Sequence, residues 1–330
     1  MPELPDVDVY IEHIARLTVG HTLERVRLAS PFVLRTADPP IAAAGGLLVK
    51  EVTRLGKRIV LALAPARKTD PGEPLYLVIH LMVAGRFKWK EVGAPITKRL
   101  GLAAFDFDSG TLLLTEASTK KRASLHLLRQ KGPGLSNLDP GGLEIMKSPV
   151  KAFAERLRSE NHTLKRALTD PHLFSGIGNA YSDEILHHAR MSPVKLTSRL
   201  TDLEIANLHA AIVAVVTEWT DRLRAESGAF PEKVTAFRPE MAVHGKYGKP
   251  CPRCGAPVQR IRYAENESNY CPACQTDGKL LADRSLSRLM RGDWPKTLEE
   301  LEAKKEKQKA PAKGSIAARA ATFIPVRKTD

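Results

Sequence analysis

Two cysteine pairs, CPRC at 251–254 and CPAC at 271–274, bracket the stretch GAPVQRIRYAENESNY at 255–270. Each CxxC turns the chain so that both thiolates face one side. Two such knuckles at the ends of a short hairpin complete a tetrahedral site of four sulfurs, the geometry zinc prefers. A redox CxxC or a pair of free core cysteines accounts poorly for two matched pairs. With sulfur at Cys251, Cys254, Cys271 and Cys274 no coordination position stays open, so the expected ion is one structural Zn2+. It staples a hairpin of about twenty residues that has too little core to fold alone. Arg260 and Arg262 make the hairpin basic, which suits a DNA-facing loop and also a simply exposed one.

The whole chain has 330 residues, 43% of them apolar, enough for two or three domains with real cores. Lys and Arg number 51 against 37 Asp and Glu, a net charge of +14 that favours polyanions, nucleic acid first and acidic membrane second. The first twenty residues carry Glu3, Asp6, Asp8 and Glu12 and no apolar run, so no signal peptide is read there. No stretch approaches the roughly 20 apolar residues that span a bilayer. A cytoplasmic protein with no membrane partner is expected, and a reducing compartment agrees with metal-bound rather than disulfide-linked cysteines.

Val7, Tyr10, Ile11, Ile14 and Leu17 recur every three or four residues and predict an amphipathic helix over 6–19. Short alternating runs follow, with Asp108, Ser109 and Gly110 as a hairpin turn. Residues 1–135 therefore read as an N-terminal β-sandwich with one leading helix. KGPGLSNLDPGG at 131–142 is a breaker-rich linker. Helices over 149–160, 162–168, 179–188 and 202–224 place a helical domain at 136–240, ahead of the cysteine unit at 241–276. Residues 277–330 form a basic extension, partly helical at 283–294 and 297–307, the latter opened by a capping box of Thr297 and Glu300. Disorder is expected from about Lys304. The fold class is α+β.

Two further stretches carry chemistry. LFSGIGNAYSDEIL at 173–186 puts Gly176 and Gly178 ahead of Asn179 at a helix start, where backbone amides can accept a phosphate and Asn179 can cap the helix or donate to phosphate. Two glycines before a helix also serve as a plain tight turn. At the start, MPELPDV makes Pro2 a free secondary amine once Met1 is removed, with the Glu3 carboxylate beside it.

Taken together, PELPDV, RLGKRIVL at 54–61, IHLMVAGR at 79–86, SGIGNAYSDEIL and HGKYGKPCPRCG…NYCPACQ stand in the order seen in one family. Over about residues 1–275 the sequence resembles the formamidopyrimidine-DNA glycosylase and endonuclease VIII family of repair enzymes, more closely the former. The resemblance implies a β-sandwich, a helix–two-turns–helix domain and a zinc-ribbon finger, with damaged double-stranded DNA across the cleft and a monomeric protein. It implies that Pro2 attacks C1′ of a damaged nucleoside and forms an iminium, an electron sink for β-elimination. Glu3 matches the acid/base residue, Lys57 the lysine that contacts phosphate and donates a proton in strand cleavage, and Asn179 the phosphate-gripping asparagine. Gly178, His80 and Lys246 fall at further DNA-facing positions. The reacting nucleotide is flipped out of the stack.

Four places depart from the family pattern. Asp6 stands where a glutamate is usual, one methylene shorter at a catalytic position. TEASTKKRASLHLL at 115–128 holds Lys120, Lys121 and Arg122 and no aromatic residue where the family carries a wedge loop. The wedge methionine position falls on Val83, with Met82 beside it as a substitute or as a core methionine. Asn266 occupies the place of a finger arginine that clasps phosphate, so δ-elimination is expected to weaken while β-elimination stays. Three functions follow: a glycosylase with abasic-site (AP) lyase action on oxidised purines, a non-excising damaged-DNA binder, or a zinc-ribbon RNA-binding protein.

Overall fold

The structure, a computed structural model, describes residues 1–67, 69–130, 134–263, 266–282 and 295–309. Helix α1 (Leu4–Thr18) starts two residues earlier than its apolar spacing suggests. Pro5 fits the first turn, where its missing N–H has no intrahelical partner, and Asp6 accepts the Glu3 N–H at 3.0 Å. Eight strands follow: β1 (Thr22–Leu28), β2 (Leu47–Leu55), β3 (Arg58–Ala64), β4 (Leu75–His80), β5 (Gly85–Lys90), β6 (Gly101–Phe107), β7 (Gly110–Glu116) and β8 (Ser124–Arg129).

They form one antiparallel sheet in the order β5-β7-β6-β1-β2-β3-β4-β8. β1 and β2 pair only at Thr22↔Leu48 and Leu23↔Leu47, so the two halves meet at a narrow seam. Phe87, Phe105 and Leu114 of one half and Leu61, Leu77 and Leu127 of the other share a single buried core with Val7, Tyr10 and Ile14 of α1. The expected sandwich is thus a continuous sheet with both halves packed on one core. The Asp108–Ser109 turn lies where the sequence places it, Phe107 pairing with Gly110.

The helical domain packs α2 (Val150–Arg158), α3 (Leu164–Thr169), α4 (Asn179–His188) and α5 (Asp202–Glu226) around Phe153, Leu164, Phe174, Tyr181, Leu208 and Trp219. Thr201 and Glu204 close a capping box at the start of α5. Leu4 is buried in this second core, so α1 belongs to both domains. Arg54 joins them again: its guanidinium pairs with Asp8 at 2.9 Å and with Glu144, and donates to Ser175 Oγ at 3.1 Å.

Beyond α5, strands β9 (Gln259–Tyr263) and β10 (Asn266–Tyr270) form the finger hairpin, followed by the short α6 (Pro272–Gln275). Helix α7 (Leu298–Lys309) opens with Glu300 N donating to Thr297 Oγ1 at 3.3 Å, the expected cap. It runs to Lys309, five residues past the point where disorder was expected, because Glu, Lys, Gln and Ala favour helix even without an apolar face. The helix expected over 283–294 lies outside the described residues. No described helix is long and apolar enough to cross a membrane.

Candidate active site

The first residues of the chain are tucked into the loop ahead of α4. Leu4 N donates to Gly176 O at 2.9 Å, which brings Glu3 beneath the helix start. Its carboxylate accepts three backbone amides, Gly178 at 2.8 Å, Ala180 at 2.9 Å and Tyr181 at 3.2 Å. Those amides are among the orphan donors of a helix N-terminus, and a carboxylate there also faces the positive end of the helix dipole. Asn179 therefore does not cap α4. Gly178 is the N-cap residue, and an acid 175 positions away supplies the acceptor. Asn179, first in the helix, is half-buried.

Lys57 arrives from a different element. Leu55 pairs with Arg58, so Gly56 and Lys57 form a two-residue hairpin turn, and Gly56 supplies the positive φ of 62°. The turn delivers the ammonium to the same place as Glu3. A Cβ on Gly178 would lie 2.4 Å from Glu3 Cδ and 2.6 Å from Lys57 Nζ. Gly178 is thus required by space, since its own backbone is extended. Burial pushes the Lys57 pKa down, the Glu3 charge opposes this, and the nearby Lys165 charge adds to it. The amino terminus lies in this group too. Burial lowers its pKa, Glu3 and Asp6 raise it, and Arg86 and Lys57 lower it further. Pro2 is buried beside them.

Asp6 is 3% exposed. Oδ2 accepts the Glu3 amide, while Oδ1 has no hydrogen-bond partner among the described residues and lies 3.8 Å from the buried Arg238 guanidinium. Burial raises its pKa to about 6, against the lowering effects of the Glu3 amide and Arg238. A cavity of about 440 Å³ opens directly beside it, lined by Asp6, Val9, Phe230, Glu232, Val234 and Arg238 among others. That volume is in the range of small-molecule sites, about 300–1,000 Å³. Arg86 ties this rim to the β4–β5 turn, donating to Val234 O at 2.5 Å and to Val83 O at 3.2 Å.

In that turn Met82 adopts φ 52° and is half-buried, whereas Val83 is 58% exposed. The outward apolar group is Val83. Segment 117–123 is pinned from below: buried Glu116 accepts the amides of Arg122 at 2.9 Å and Ala123 at 3.1 Å, and its carbonyl takes the Lys121 ammonium. Lys120 and Arg122 remain exposed. His80 closes β4, half-buried, and burial with the charges of Arg58, Lys57 and His126 lowers its pKa to about 4. Lys246 donates to Pro239 O at 2.8 Å. The Asn266 backbone pairs with Tyr263 across the finger hairpin, and its side chain lies outside what is described.

The four cysteine sulfurs all lie within 4.8 Å of one another, with Cys254 and Cys271 at 3.4 Å and Cys251 and Cys274 at 4.0 Å. Sulfurs about 2.3 Å from a tetrahedral zinc stand just under 4 Å apart, so the donor set fits. The finger core around them is small, Val243 and Val258 with Cys251 and Cys271.

Helix α4 holds this finger in place. Buried Asp183 accepts Lys165 Nζ at 2.5 Å, His244 Nδ1 at 2.8 Å and Asn269 Nδ2 at 3.1 Å. Glu184 takes the amides of Ala242, Val243 and His244, and His187 Nε2 lies 3.2 Å from Cys251 Sγ. Sequence reasoning passed over Asp183, Glu184, Lys165, Arg238 and Arg86. Only the adjacent acids DE inside an otherwise buried helix could have signalled the first two.

Three family models match the chain: the formamidopyrimidine-DNA glycosylase N-terminal domain over residues 1–122, its H2TH domain over 142–224, and the zinc finger found in FPG and IleRS over 248–276. A formamidopyrimidine-DNA glycosylase of Symbiobacterium thermophilum is 30% identical over 304 residues, covering 89% of this chain and 96% of that one. The chain belongs to the formamidopyrimidine-DNA glycosylase family. Its fold is that family's, an N-terminal β-sheet domain, a helix–two-turns–helix (H2TH) domain and a C-terminal zinc finger, and its four cysteines hold the finger's structural zinc. The complex of Lactococcus lactis Fpg with abasic-site DNA superposes with a TM-score of 0.72 at 26% identity, over 83% of this chain and 99% of that one. The MutM (Fpg) protein of Thermus thermophilus gives 0.69 at 29%, over 83% and 98%.

Proposed function

We propose that this member of the DNA glycosylase family excises oxidised purines such as 8-oxoguanine and formamidopyrimidines, and then cleaves the abasic strand by β-elimination. The reading is carried by one observation: the chain's first residues, with the amino terminus and Glu3, and the β2–β3 turn, with Lys57, come from separate segments to one point at the start of α4. With Met1 removed, the Pro2 nitrogen uses its lone pair to form a bond to C1′ of the damaged nucleotide. The C1′–N bond to the base breaks, and the base leaves with that electron pair and takes up the proton that the alkylated Pro2 nitrogen sheds.

Glu3 donates a proton to the sugar oxygen as the ring opens, leaving an iminium between Pro2 and C1′. A secondary amine forms this cation without losing a further proton. The iminium acidifies C2′, the Glu3 carboxylate left after protonating the sugar oxygen takes that proton, and the bond to the 3′ phosphate breaks. Lys57 and Asn179 hold the flanking phosphate, and Lys57 returns a proton to the leaving oxygen. The extruded base enters the cavity beside Asp6 and Arg238. In this reading the chain works as a monomer on duplex DNA.

Borohydride trapping tests the reading on duplexes carrying 8-oxoguanine, formamidopyrimidine or an abasic site. A covalent complex on all three is expected. Trapping on the abasic duplex alone would leave a lyase without base excision, which the segment at 117–123, lacking an aromatic wedge, specifically favours as second reading. No covalent complex on any substrate, or an amino terminus found to retain Met1, overturns the mechanism.

A further inference from the structure

Helix α4 ends on two adjacent histidines that face opposite ways, His188 exposed and His187 buried. A buried imidazole needs partners for its ring nitrogens. His187 Nε2 lies 3.2 Å from Sγ of the equally buried Cys251, across 64 positions of chain. The backbone of His187 is held by the same knuckle, since Arg253 Nη1 donates to His187 O at 3.0 Å. Residue 187 thus meets CPRC twice, through its ring and through its carbonyl.

A ring nitrogen beside a sulfur can donate or accept, and the state of the sulfur decides which. A neutral imidazole carries its hydrogen on one nitrogen and a lone pair on the other. A zinc-bound cysteine is a thiolate and has no hydrogen to give. In the metal-loaded finger the contact is therefore an Nε2–H···S bond, with the sulfur accepting. Four thiolates around one Zn2+ leave two negative charges in excess, and buried charge is tolerable where hydrogen bonds compensate it. Cys254 takes the backbone amide of Ala256 and Cys271 that of Cys274, both from within the finger. The bond to Cys251 comes from a different domain.

We propose that His187 is a positioning residue of the metal centre, holding the Cys251 thiolate in the zinc's coordination shell from the helix–two-turns–helix domain. The N–H orients the sulfur and engages a lone pair that an incoming proton or electrophile would otherwise use. Retention of the metal then depends on a residue outside the finger, at the end of the helix whose other end receives Glu3. The role is independent of the base-excision chemistry, because the zinc belongs to the fold.

Competition of the full zinc-loaded chain with a chromophoric chelator tests the assignment. His187→Phe keeps a ring at the site and removes the donor, and zinc affinity is expected to fall about 10–100-fold. His187→Gln, whose amide can place an N–H near the same point, is expected to recover most of that loss. With cobalt(II) in place of zinc, the sulfur-to-metal charge-transfer bands should move to longer wavelength in His187→Phe, because a thiolate without its hydrogen bond holds its electrons less tightly. They should return in His187→Gln.

Wild-type affinity in His187→Phe overturns the proposal. So does lowered affinity with unshifted bands or without recovery in His187→Gln, since the ring is then a packing element only. If His187→Phe does not fold, the isotope-labelled wild-type chain carries the test, as long-range nitrogen–hydrogen correlation reads which ring nitrogen of His187 bears hydrogen. Hydrogen on Nε2 is expected in the zinc-loaded chain, and a bare Nε2 overturns the assignment.

Discussion

The Glu3 carboxylate accepts the Gly178 amide at 2.8 Å, and the missing side chain of Gly178 is the space that Glu3 and Lys57 occupy. One hydrogen bond across 175 residues thus fixes the acid, and one absent methyl group lets the ammonium stand beside it. Extended backbone at Gly178 would accept any residue, so the constraint is the approach of two reactive groups.

Gly178→Ala is therefore expected to act on chemistry more than on folding. The new methyl pushes on the Lys57 ammonium and on the Glu3 carboxylate, straining its amide bonds without removing them, and a shift of about 1 Å in reacting groups costs on the order of 100-fold in rate. Single-turnover trapping on abasic DNA should fall by about that factor while the melting temperature moves by only a few degrees. A variant that traps at the wild-type rate contradicts this placement.

Glu3→Ala removes the shared acceptor of three buried amides and, in the proposed mechanism, the proton donor. Bonds to a charged acceptor are each worth about 1.5–3 kcal/mol. Base excision should disappear, and denaturant midpoints should drop by at least about 2 kcal/mol equivalent. Glu3→Gln keeps one acceptor oxygen and is expected to recover part of the stability and none of the excision.

Asp6 makes stability depend on pH. Its folded pKa of about 6 lies above the unfolded value of 3.8, so the folded state holds the proton more tightly. The stabilisation is complete below the unfolded pKa and is lost as pH rises through 6. At 1.36 kcal/mol per pKa unit the swing is on the order of 2–3 kcal/mol. Asp6→Asn stays neutral throughout, so its unfolding free energy relative to wild type should climb by that amount between pH 4 and pH 7. A flat difference removes Asp6 as the titrating group.

Stripping the zinc with a chelator should unfold the finger, whose own core is two valines and two cysteines. Four thiols become reactive, and specific binding to damaged duplex is lost. Re-addition of zinc should restore both. Retention of tight binding in the metal-free chain contradicts a role for the finger in gripping DNA.

With Asn266 in place of a cationic side chain, cleavage of an abasic strand should stop mainly at the β-elimination product. Denaturing gels separate the two outcomes, and a predominance of 3′ phosphate ends would show that other groups supply the second elimination. Arg260 and Arg262, which lie 3.5 Å and 3.9 Å from Glu267, are the cations the hairpin itself carries.

Local chemistry was legible in the sequence. The CxxC spacing gave the four-sulfur cluster, the apolar period gave α1, and Thr297 with Glu300 gave the cap of α7. What could not be read is each partnership that joins distant segments. Asn179 reads as either its own helix's cap or a phosphate donor, and nothing local to it announces that Glu3 fills the cap. Asp183 and Glu184 read as ordinary helix polar residues, yet both are buried with every described bond reaching another segment or another turn. Met82 and Val83 could not be ranked without φ, since the left-handed backbone at Met82 is what turns Val83 outward.

Ten residues of α4 receive the chain's beginning at one end and the metal knuckle near the other, through His187 and Cys251. Unwinding that helix would free Glu3, Asn179 and the finger in a single event. Under the proposed function, losing that helix would release the amino terminus and the finger together, so a nucleophile would not stay poised over DNA that nothing else holds.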